Sequence, residues 1–554
     1  MQRALSCAVI LGRTRGAVAF DAVERTRSFW GWGFDDAALS TEELDALGTR
    51  VSAVIAGPFN VVDPPSSDEI RLRASRIEVP ASLESICRSD DVARASHTYG
   101  KSFVDIVRAL ERRWERPPDV VATPANEDEI VAILEWAEAI DAVVIPYGGG
   151  SSVVGGVEAP ANDERRIISC DLARLDRVLE VDVTSRAAHI EGGVFGPSLE
   201  DQLRGYGLTM RHYPQSFEMS TLGGWIATRS GGHFATMHTH IDDFVESVRA
   251  LTPAGVWESR RLPGSGAGPS PERLMVGSEG ILGIISSAWM RLQDRPTFRA
   301  STVARFNSFE AGAQGARALA HSGLWPSNCR LLDAGEALMT GAGDGTAHLL
   351  LVGFESADHP VDASLTRAVE IIQQCGGVAS EPRGGARRSE QPSDDSAERW
   401  RSSFLRAPYL RDGLLRLGFI SETFETAITW DRFDGFVHDV RAATSEALHA
   451  VGADGAIITC RLTHVYPDGA APYFTVLAPG RVNDRVAQWR EVKSAVMSAI
   501  SNGGGTATHH HAIGRDHRAG YDLERPELFA AQLRAAKAVV DPHGLLNPGV
   551  LIDP

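Results

Sequence analysis

Hydrophobic and polar positions predict short strands alternating with helices from residue 118 onward. Apolar runs at 120–123 and 142–145 have strand character, and apolar positions three or four residues apart predict a helix over 127–140 between them. These elements form a β-α-β unit, so we predict an α+β domain here. Further strands are predicted at 167–170, 178–181, 187–190, 248–251 and 281–291.

The rest of the chain predicts a second domain and a closing segment. After residue 296, strands such as 348–354 alternate with long helices such as 362–375, and another helix is predicted over 528–540. Residues rich in Gly, Pro, Arg and Ser predict loops at 262–271 and 384–394. We expect four parts: a helical N-terminal segment (1–115), the α+β domain (116–295), a second domain (296–503) and a C-terminal segment returning to the first domain (504–554).

Composition narrows the classes of function. The chain has 554 residues, of which 43% are apolar and 23% charged, as in globular proteins of two or more domains. A formal net charge of −17 argues against nucleic-acid binding but leaves room for a local basic pocket. Six scattered cysteines and the lack of an apolar run of roughly 18 residues favour a cytoplasmic protein without a membrane span. Residues 1–20 are only weakly signal-like, and we interpret them as an extension or a start-site artefact.

A glycine-rich loop directly after the predicted strand 142–145 is the first candidate for chemistry. Its sequence is Pro146-Tyr-Gly-Gly-Gly-Ser-Ser152. Several backbone N–H groups can converge on phosphate oxygens there, because glycine tolerates positive φ and has no Cβ. Alone, the pattern fits a flexible surface loop equally well, and it is neither a GxGxxG nor a Walker loop. Two more glycine and hydroxyl clusters, at 214–232 and 277–284, favour an extended ligand that contains phosphates.

Three consecutive histidines, His509, His510 and His511, are the second candidate. They follow Gly503-Gly-Gly505, where the backbone can turn sharply. A metal site, surface polarity and an anion or substrate pocket are all open interpretations. Adjacent histidines seldom bind one structural ion, so we favour the pocket and predict no metal.

The three glycine clusters, with the strands around them, resemble the FAD-binding domain of the vanillyl-alcohol oxidase and p-cresol methylhydroxylase superfamily. The chain further resembles the alkyldihydroxyacetonephosphate synthases in the three clusters, the histidine triplet and four short motifs: Trp30-Gly-Trp-Gly-Phe34, Phe424-Glu-Thr426, Trp430-Asp-Arg432 and Thr459-Cys-Arg461. The resemblance implies a two-subdomain FAD-binding domain of the p-cresol methylhydroxylase (PCMH) type. It also implies a substrate or cap domain built on an antiparallel sheet flanked by helices.

The resemblance also implies which residues bind FAD. No histidine lies within 146–156, so we expect a non-covalent flavin, although attachment from the C-terminal domain stays open. The implied contacts are Pro146, Tyr147, Gly148, Gly149, Gly150, Ser151, Ser152, Pro214, Ser216, Glu218, Ser220, Thr221, Gly224, Ala227, Thr228, Arg229, Ser230, Ser278, Glu279, Gly280, Gly283 and Ile284.

Carried over position by position, the resemblance implies a catalytic set and a substrate-binding set. Tyr473 and the histidine triplet would be catalytic, and Arg411 would bind the substrate phosphate, with Arg330 and one of Arg260 or Arg261 as further cations. A guanidinium offers the planar fork of donors that suits such an anion. We expect Tyr473 or a histidine to act as base if neighbouring cations lower its pKa. Tyr473 could instead be a core aromatic, and each arginine a partner in a surface salt bridge.

The implied activity exchanges the acyl group of an acyl-dihydroxyacetone phosphate for a long-chain alcohol through an adduct at flavin N5, without net redox change. The alternative is an FAD-dependent oxidoreductase acting on a 2-hydroxy acid or an alcohol, since Leu546-Asn-Pro-Gly549 is closer to D-lactate and glycolate dehydrogenases. Thr239-His240 also departs from the synthase pattern, and His233, His238 and His240 then form a loop that could hold a metal or cover the isoalloxazine ring. A flavin-binding protein without catalysis is a third class. We expect a small, lipid-like substrate, a homodimer and transient contact with a membrane surface.

Overall fold

The structure is a computed structural model that describes residues 25–55, 61–381, 383–386 and 396–553. The weakly signal-like residues 1–20 lie outside the described residues. Within the described ranges the chain forms helices and separate, largely antiparallel sheets. The predicted α+β class is therefore confirmed.

Helices precede the first complete sheet. They are α1 (Thr41–Ser52), α2 (Asp91–Ser96) and α3 (Phe103–Leu110). α1 begins with a capping box, in which the Ser40 side chain accepts from Glu43 N and the Glu43 side chain accepts from Ser40 N. Leu44, Leu47 and Val51 repeat at helical spacing and bury one face of α1.

The first sheet contains the predicted β-α-β unit. Its strands are β1 (Cys87–Arg88), β2 (Val120–Ala122), β3 (Ala142–Tyr147) and β4 (Arg166–Asp171), in the order β1-β2-β4-β3. β2, β4 and β3 run parallel, and α4 (Glu127–Ala139) forms the crossover between β2 and β3. Because β3 ends at Tyr147, the glycine-rich loop leaves the sheet at the carboxyl ends of its strands, where such sheets bind ligands.

A second, antiparallel sheet follows. Its strands, in the order β5-β6-β10-β8-β9, and the short pair β7-β11 are β5 (Val178–Asp182), β6 (Ala187–Glu191), β7 (Leu208–Thr209), β8 (Val245–Thr252), β9 (Gly255–Glu258), β10 (Ile284–Arg291) and β11 (Gln293–Asp294). The helices of this part are α5 (Gly196–Arg204), α6 (Leu222–Thr228) and α7 (Pro271–Met275). Trp225 and Ile226 of α6 pack into the same buried cluster as Ile190, Val248 and Ala288 of the sheet.

The largest sheet, which we call the cap sheet, lies in the second half of the chain. It has the order β15-β12-β14-β13-β19-β20-β17, with β16 beside β12 and β18 beside β20. Its strands are β12 (Phe298–Phe306), β13 (Asn328–Leu332), β14 (His348–Ser356), β15 (Val378–Ala379), β16 (Arg383–Ala386), β17 (Phe419–Glu425), β18 (Ile428–Thr429), β19 (Ile457–Val465) and β20 (Gly469–Pro479). The helices in this part are α8 (Phe309–His321), α9 (Ala334–Met339), α10 (Asp362–Gln374), α11 (Ser396–Arg416) and α12 (Phe433–Ala450).

The C-terminal part returns to the first sheet. Its helices are α13 (Arg485–Gly503), α14 (Arg518–Glu524) and α15 (Glu527–Val540). Beyond α15, Val144 N donates to Leu545 O at 2.8 Å and Asn547 N donates to Val144 O at 3.0 Å. These two bonds tie the chain end to β3, beside the glycine-rich loop.

Two sequence predictions need correction. The strand predicted over 281–291 begins only at Ile284, because Glu279 and Gly280 adopt positive φ and form a turn. The loop predicted over 384–394 is wrong at its start, since residues 383–386 form β16 and pair with β12. Residues 387–394 lie outside the described ranges.

Among the described residues, the helices are all too short or too polar to cross a membrane.

Candidate active site

A cavity of about 920 Å³ lies where the glycine-rich loop, the α6 region, the cap sheet and the histidine triplet meet. This volume is at the upper end of the range typical for small-molecule and cofactor sites. Both halves of the chain line it, so a ligand bound there would contact the first-domain loops and the cap sheet together.

The glycine-rich loop forms one wall, and it is packed too closely for larger residues. A Cβ on Gly149 would lie 1.9 Å from Met219 O, and one on Gly148 would lie 2.2 Å from Thr221 Oγ1. Gly150 has φ +65°, a conformation that L side chains rarely adopt. The glycine-rich loop and the 214–232 cluster therefore pack against each other along the cavity wall. Their backbone is close enough to the cavity to bind a diphosphate there. The residues present fit FAD.

The structure brings most of the predicted FAD contacts to the cavity, but not all. Glu218 is exposed, and Arg229 is exposed and paired with Asp242 at 2.8 Å. Ser278 is buried outside the lining, and Ile284 packs in a core cluster. The predicted residues that line the cavity are Pro146, Tyr147, Gly148, Gly149, Gly150, Ser151, Ser152, Pro214, Ser216, Ser220, Thr221, Gly224, Ala227, Thr228, Ser230, Glu279, Gly280 and Gly283.

Glu279 connects this wall to the C-terminal segment. Its carboxylate accepts from Ile513 N and Gly514 N, both at 2.8 Å. Asn547 Nδ2 donates to Glu279 O and Gly156 O at 2.8 and 3.0 Å. Burial raises the pKa of Glu279 to about 7, although the two backbone amides oppose the shift.

Glu425, at the end of β17, holds the histidine triplet from the other side. It is 1% exposed, and its carboxylate accepts from the backbone amides of His509, His510 and His511 at 2.6, 3.2 and 3.0 Å. Thr508 donates its hydroxyl to the same carboxylate. Burial alone would raise the pKa of Glu425, but the charge that His510, His511 and His509 carry when protonated, together with the Thr508 hydrogen bond, lowers it well below its usual value.

The triplet presents neutral imidazoles to the cavity. Burial lowers the pKa of His510 to about 3 and that of His511 to about 4. Both rings line the cavity, whereas His509 lies behind them and hydrogen-bonds Tyr466 Oη at 2.7 Å. Each neutral imidazole carries one unprotonated nitrogen, so His510 and His511 remain proton acceptors at neutral pH.

His464 and His240 extend the triplet into a larger imidazole cluster. One nitrogen each of His464, His509 and His510 lie within 4.8 Å of one another. His509 Nδ1 lies 3.1 Å from His510 Nδ1, and His240 Nε2 lies 2.9 Å from His509 O. These hydrogen bonds account for much of the cluster, and the expectation of no metal stays a prediction. His240 thereby brings the predicted 233–240 loop into contact with the triplet.

Tyr473, on β20, is the cap-sheet residue that lines the cavity beside the histidine triplet. Its hydroxyl donates to Thr423 Oγ1 at 3.1 Å, and its ring centroid lies 5.9 and 5.6 Å from those of His510 and His511. The Arg461 guanidinium lies 3.8 Å from the centroid of the Tyr473 ring. Burial raises the pKa of Tyr473 despite that cation. The expectation that neighbouring cations lower the pKa therefore does not hold for Tyr473, which keeps its proton at neutral pH.

The predicted substrate-binding arginines differ in position. Arg411, on α11, lines the cavity and donates to Lys101 O at 2.8 Å. Arg330, on β13, also lines it, and burial followed by the charge of Arg461 lowers the pKa of Arg330 to about 9. Arg260 is exposed beyond β9 and away from the lining residues, and Arg261 pairs with acidic side chains there. The structure therefore does not bring Arg260 to the site.

The lining of the cavity changes from polar to apolar along one face of the cap sheet. Successive rows across β17, β20 and β19 hold residues directly opposite one another, whose side chains share a face. The rows are Glu425, Tyr473 and Arg461, then Thr423, Thr475 and Thr459, then Ser421, Leu477 and Ile457. All of these residues except Glu425 and Thr459 line the cavity. Leu47 and Val51 of α1 pack in the same cluster as Leu477, beside Leu410 and Leu414 of α11. The apolar end reaches the surface at Val54, Leu338 and Met339, which line the cavity and are exposed.

Sequence reasoning missed several residues of this site. Arg461 and Glu425 were noted only as parts of motifs, without a role. Arg461 forms an ion pair with Glu336 of α9, and no local pattern predicted that these two residues lie close together. His464 lies in β19, nine residues before Tyr473. The alternation of Tyr473, Thr475 and Leu477 was the one sequence signal that could have predicted the change from a polar to an apolar lining.

Two family models match the chain. Residues 118–259 match the FAD binding domain, and residues 295–551 match the C-terminal domain of FAD linked oxidases. The solved structure of p-cresol methylhydroxylase with substrate bound superposes with a TM-score of 0.65 at 14% identity, covering 93% of this chain and 98% of that one, which shows the shared fold. The chain is therefore an FAD-dependent enzyme with a PCMH-type fold, and FAD is its cofactor.

Within that class, the chain is similar to alkyldihydroxyacetonephosphate synthases. It is 29% identical to the enzyme of Trypanosoma brucei brucei over 533 residues, covering 91% of this chain and 83% of the relative. A solved alkyldihydroxyacetonephosphate synthase structure matches with a TM-score of 0.76 and 25% identity, over 94% of this chain and 98% of that one. The mitochondrial D-lactate dehydrogenase of Arabidopsis thaliana is 26% identical over 446 residues, covering 79% of this chain and 74% of that relative.

Replacing Gly149 with alanine should abolish tight FAD binding. The new Cβ would overlap Met219 O, and forcing the two loops apart costs about 1–3 kcal/mol, so we expect about 5- to 150-fold weaker binding of FAD. The ratio of flavin to protein absorbance after purification, and a fluorescence titration with FAD, measure this. Gly264→Ala is the matched control, since among the described residues nothing lies within 4 Å of its Cβ position. Equal FAD affinity in both variants would contradict the cradle.

The buried histidines should make stability depend on pH. Burial lowers the pKa of His517 to about 3, whereas an unfolded histidine titrates near 6.5. Below about pH 6.5 the unfolded chain takes up a proton that folded His517 does not, so stability is lost as pH falls, at about 1.4 kcal/mol per pH unit.

Denaturant unfolding at several pH values between 4 and 7, on the FAD-loaded protein, tests this. His517→Asn should reduce the dependence by roughly 1 kcal/mol per pH unit. His438→Asn, at an exposed position of α12, should leave it unchanged. An unaltered slope in the His517 variant would show that this imidazole is protonated in the folded protein.

Proposed function

We propose that this enzyme exchanges the acyl group of an acyl-dihydroxyacetone phosphate for a long-chain alcohol, as the name of its synthase relatives indicates. The observation that carries the proposal is the polarity of the cavity along β20, from Tyr473 through Thr475 to Leu477. A substrate with an anionic head and a long apolar tail fits this order. A 2-hydroxy acid of a few carbons would leave the apolar end unused.

The head of such a substrate fits the arginines. Arg411 and Arg461 both line the cavity, and the Nε of each is buried without a partner among the described residues. An unpaired buried N–H is costly, and an anionic oxygen would relieve that cost with a charge-assisted bond. Arg330 adds positive charge at the same end. We propose that Arg411, Arg461 and Arg330 bind the substrate phosphate. Arg260 lies away from the cavity and does not belong to this set.

Proton transfer is divided between the two kinds of catalytic side chain. The neutral His510 or His511 accepts the proton from the carbon next to the substrate carbonyl, because one nitrogen of its ring is unprotonated at neutral pH. Tyr473 keeps its proton and donates a hydrogen bond, which suits an oxygen on which negative charge develops. Tyr473 is thus proposed to donate a hydrogen bond, whereas His510 or His511 is proposed to accept a proton.

The FAD-binding residues proposed are those of the predicted set that line the cavity, from Pro146–Ser152, Pro214–Ser230 and Glu279–Gly283. When bound, FAD supplies the isoalloxazine ring on which either group exchange or a two-electron oxidation depends. The four-part division of the chain at residues 115, 295 and 503 is kept as a proposal. It is supported by the separate sheets on either side of residue 295.

Partners and location belong to the same proposal. The exposed side chains of Val54, Leu338 and Met339 at the apolar end would let a tail enter from a membrane surface during transient contact. A cytoplasmic location is supported by free thiols at the described cysteines, Cys87, Cys170, Cys329, Cys375 and Cys460. We keep the homodimer as a proposal resting on resemblance alone.

Anaerobic mixing separates the proposed activity from oxidation. Acyl-dihydroxyacetone phosphate with a long-chain alcohol should yield the alkyl ether product by mass spectrometry, and the visible flavin band should be perturbed without full bleaching. Full bleaching by D-lactate or another 2-hydroxy acid, with no ether product, would overturn the proposal and favour the oxidoreductase.

Leu477→Trp should change the preference for chain length. The larger ring would fill the apolar row beside Ile457, so we expect the ratio of kcat/KM for long over short alcohols to fall by about tenfold or more. Leu262→Trp, in an exposed loop, is the matched control for the substitution itself. FAD content is compared first to establish that both variants are loaded. An unchanged ratio would show that the tail does not run along this row.

A further inference from the structure

The segment carrying the histidine triplet is fixed by its backbone as well as by its side chains. Three consecutive amides, of His509, His510 and His511, converge on one carboxylate, Glu425. Thr508 adds its hydroxyl to the same group. A backbone that turns three successive N–H groups inward around one anion must send the attached side chains outward.

For two of the three residues this direction leads to the cavity. His510 and His511 line it, with their rings beside Tyr473. Glu425 itself does not line the cavity, although it pairs directly with Tyr473 across β17 and β20. The pairing of β17 with β20 therefore places Glu425, which holds the triplet backbone, directly opposite Tyr473.

Its charge also faces the imidazoles. Glu425 Oε2 lies 3.4 Å from His510 Nδ1, and Oε1 lies 3.8 Å from His511 Nδ1. A buried anion at this distance stabilises a positive charge on either ring. Cations also face the two rings: Arg461 lies near both, and Arg411 and Lys493 lie near His511. Glu425 is the carboxylate that opposes them.

We propose that Glu425 is a positioning residue: it orients His510 and His511 toward Tyr473 through their backbone amides and stabilises the imidazolium that forms when one of them accepts a proton. The proposal rests on the proposed function for the identity of that proton, which leaves the carbon next to the substrate carbonyl. The proton is bound by an imidazole nitrogen, and Glu425 remains ionised throughout.

Glu425→Gln tests the proposal, with Glu524→Gln as its matched control. Glu524 accepts from Ala507 N at 2.8 Å and from the Thr506 hydroxyl. Its substitution therefore removes a charge that contacts the same segment, but not one that contacts the triplet. In FAD-loaded protein we expect Glu425→Gln to lower kcat by about tenfold or more, with KM within about threefold. Glu524→Gln should retain wild-type kcat, and Glu425→Asp should recover part of the loss.

Amide hydrogen exchange gives a readout that needs no turnover. Peptides covering residues 508–511 should exchange faster in Glu425→Gln than in the wild type or in Glu524→Gln, because one of the two acceptor oxygens becomes an NH2 group, which cannot accept from a backbone amide. A loss of kcat without faster exchange, or a rise in KM alone, would overturn the positioning role. So would kcat within twofold of wild type.

A third variant covers the case in which Glu425→Gln fails to fold or to bind FAD. Thr508→Val removes one donor and leaves the charge in place, and it should still speed exchange of 508–511 and lower kcat. Unchanged exchange and kcat in Thr508→Val would overturn the proposal. If wild-type protein does not turn over acyl-dihydroxyacetone phosphate, the proposed function fails, while the exchange comparison still decides whether Glu425 holds the triplet.

Discussion

Two buried carboxylates hold one short stretch of backbone between the two halves of this enzyme, and the rest of the site depends on that hold. Glu425 comes from the cap sheet and accepts the amides of the triplet, and Glu279 comes from the flavin-binding half and accepts those of Ile513 and Gly514. Burying a carboxylate costs several kcal/mol unless hydrogen bonds and charges replace its hydration. Glu425 has more such partners, so its pKa stays low, whereas burial raises that of Glu279 to about 7.

The polarity of the cavity follows from strand alternation. Residues i, i+2 and i+4 of β20 face the cavity, and the rows on β17 and β19 complete them. A slip of one residue in register would exchange this face for the other, which the buried core on the opposite side forbids. The same frame serves relatives named as synthases and as dehydrogenases, so the fold alone does not decide the chemistry. The long apolar end, and the buried Nε atoms of Arg411 and Arg461 that have no partner in the described part of the chain, favour a phosphate head with a tail.

How much of this was readable from the sequence depends on the range of each interaction. The β-α-β unit and its glycine-rich loop are local patterns, and both were predicted at nearly their observed bounds. Glu425 and His511 are 86 residues apart, and Glu279 and Ile513 are 234 apart, so no local spacing could pair them. Arg260 was wrongly assigned to the site, because the adjacent Arg261 and the loop that follows left the alignment with the synthases ambiguous at this position. The protonation of Tyr473 depends on burial, which a sequence pattern does not measure.

A crystal structure of the FAD-loaded enzyme would show whether the flavin and the triplet segment lie as proposed. We expect a dinucleotide along 146–152 and 219–230, its ring system beside Tyr473 and His510, and the amides of 509–511 still bound to Glu425. Flavin density elsewhere, or a triplet segment that has left Glu425 when FAD is bound, would contradict this expectation.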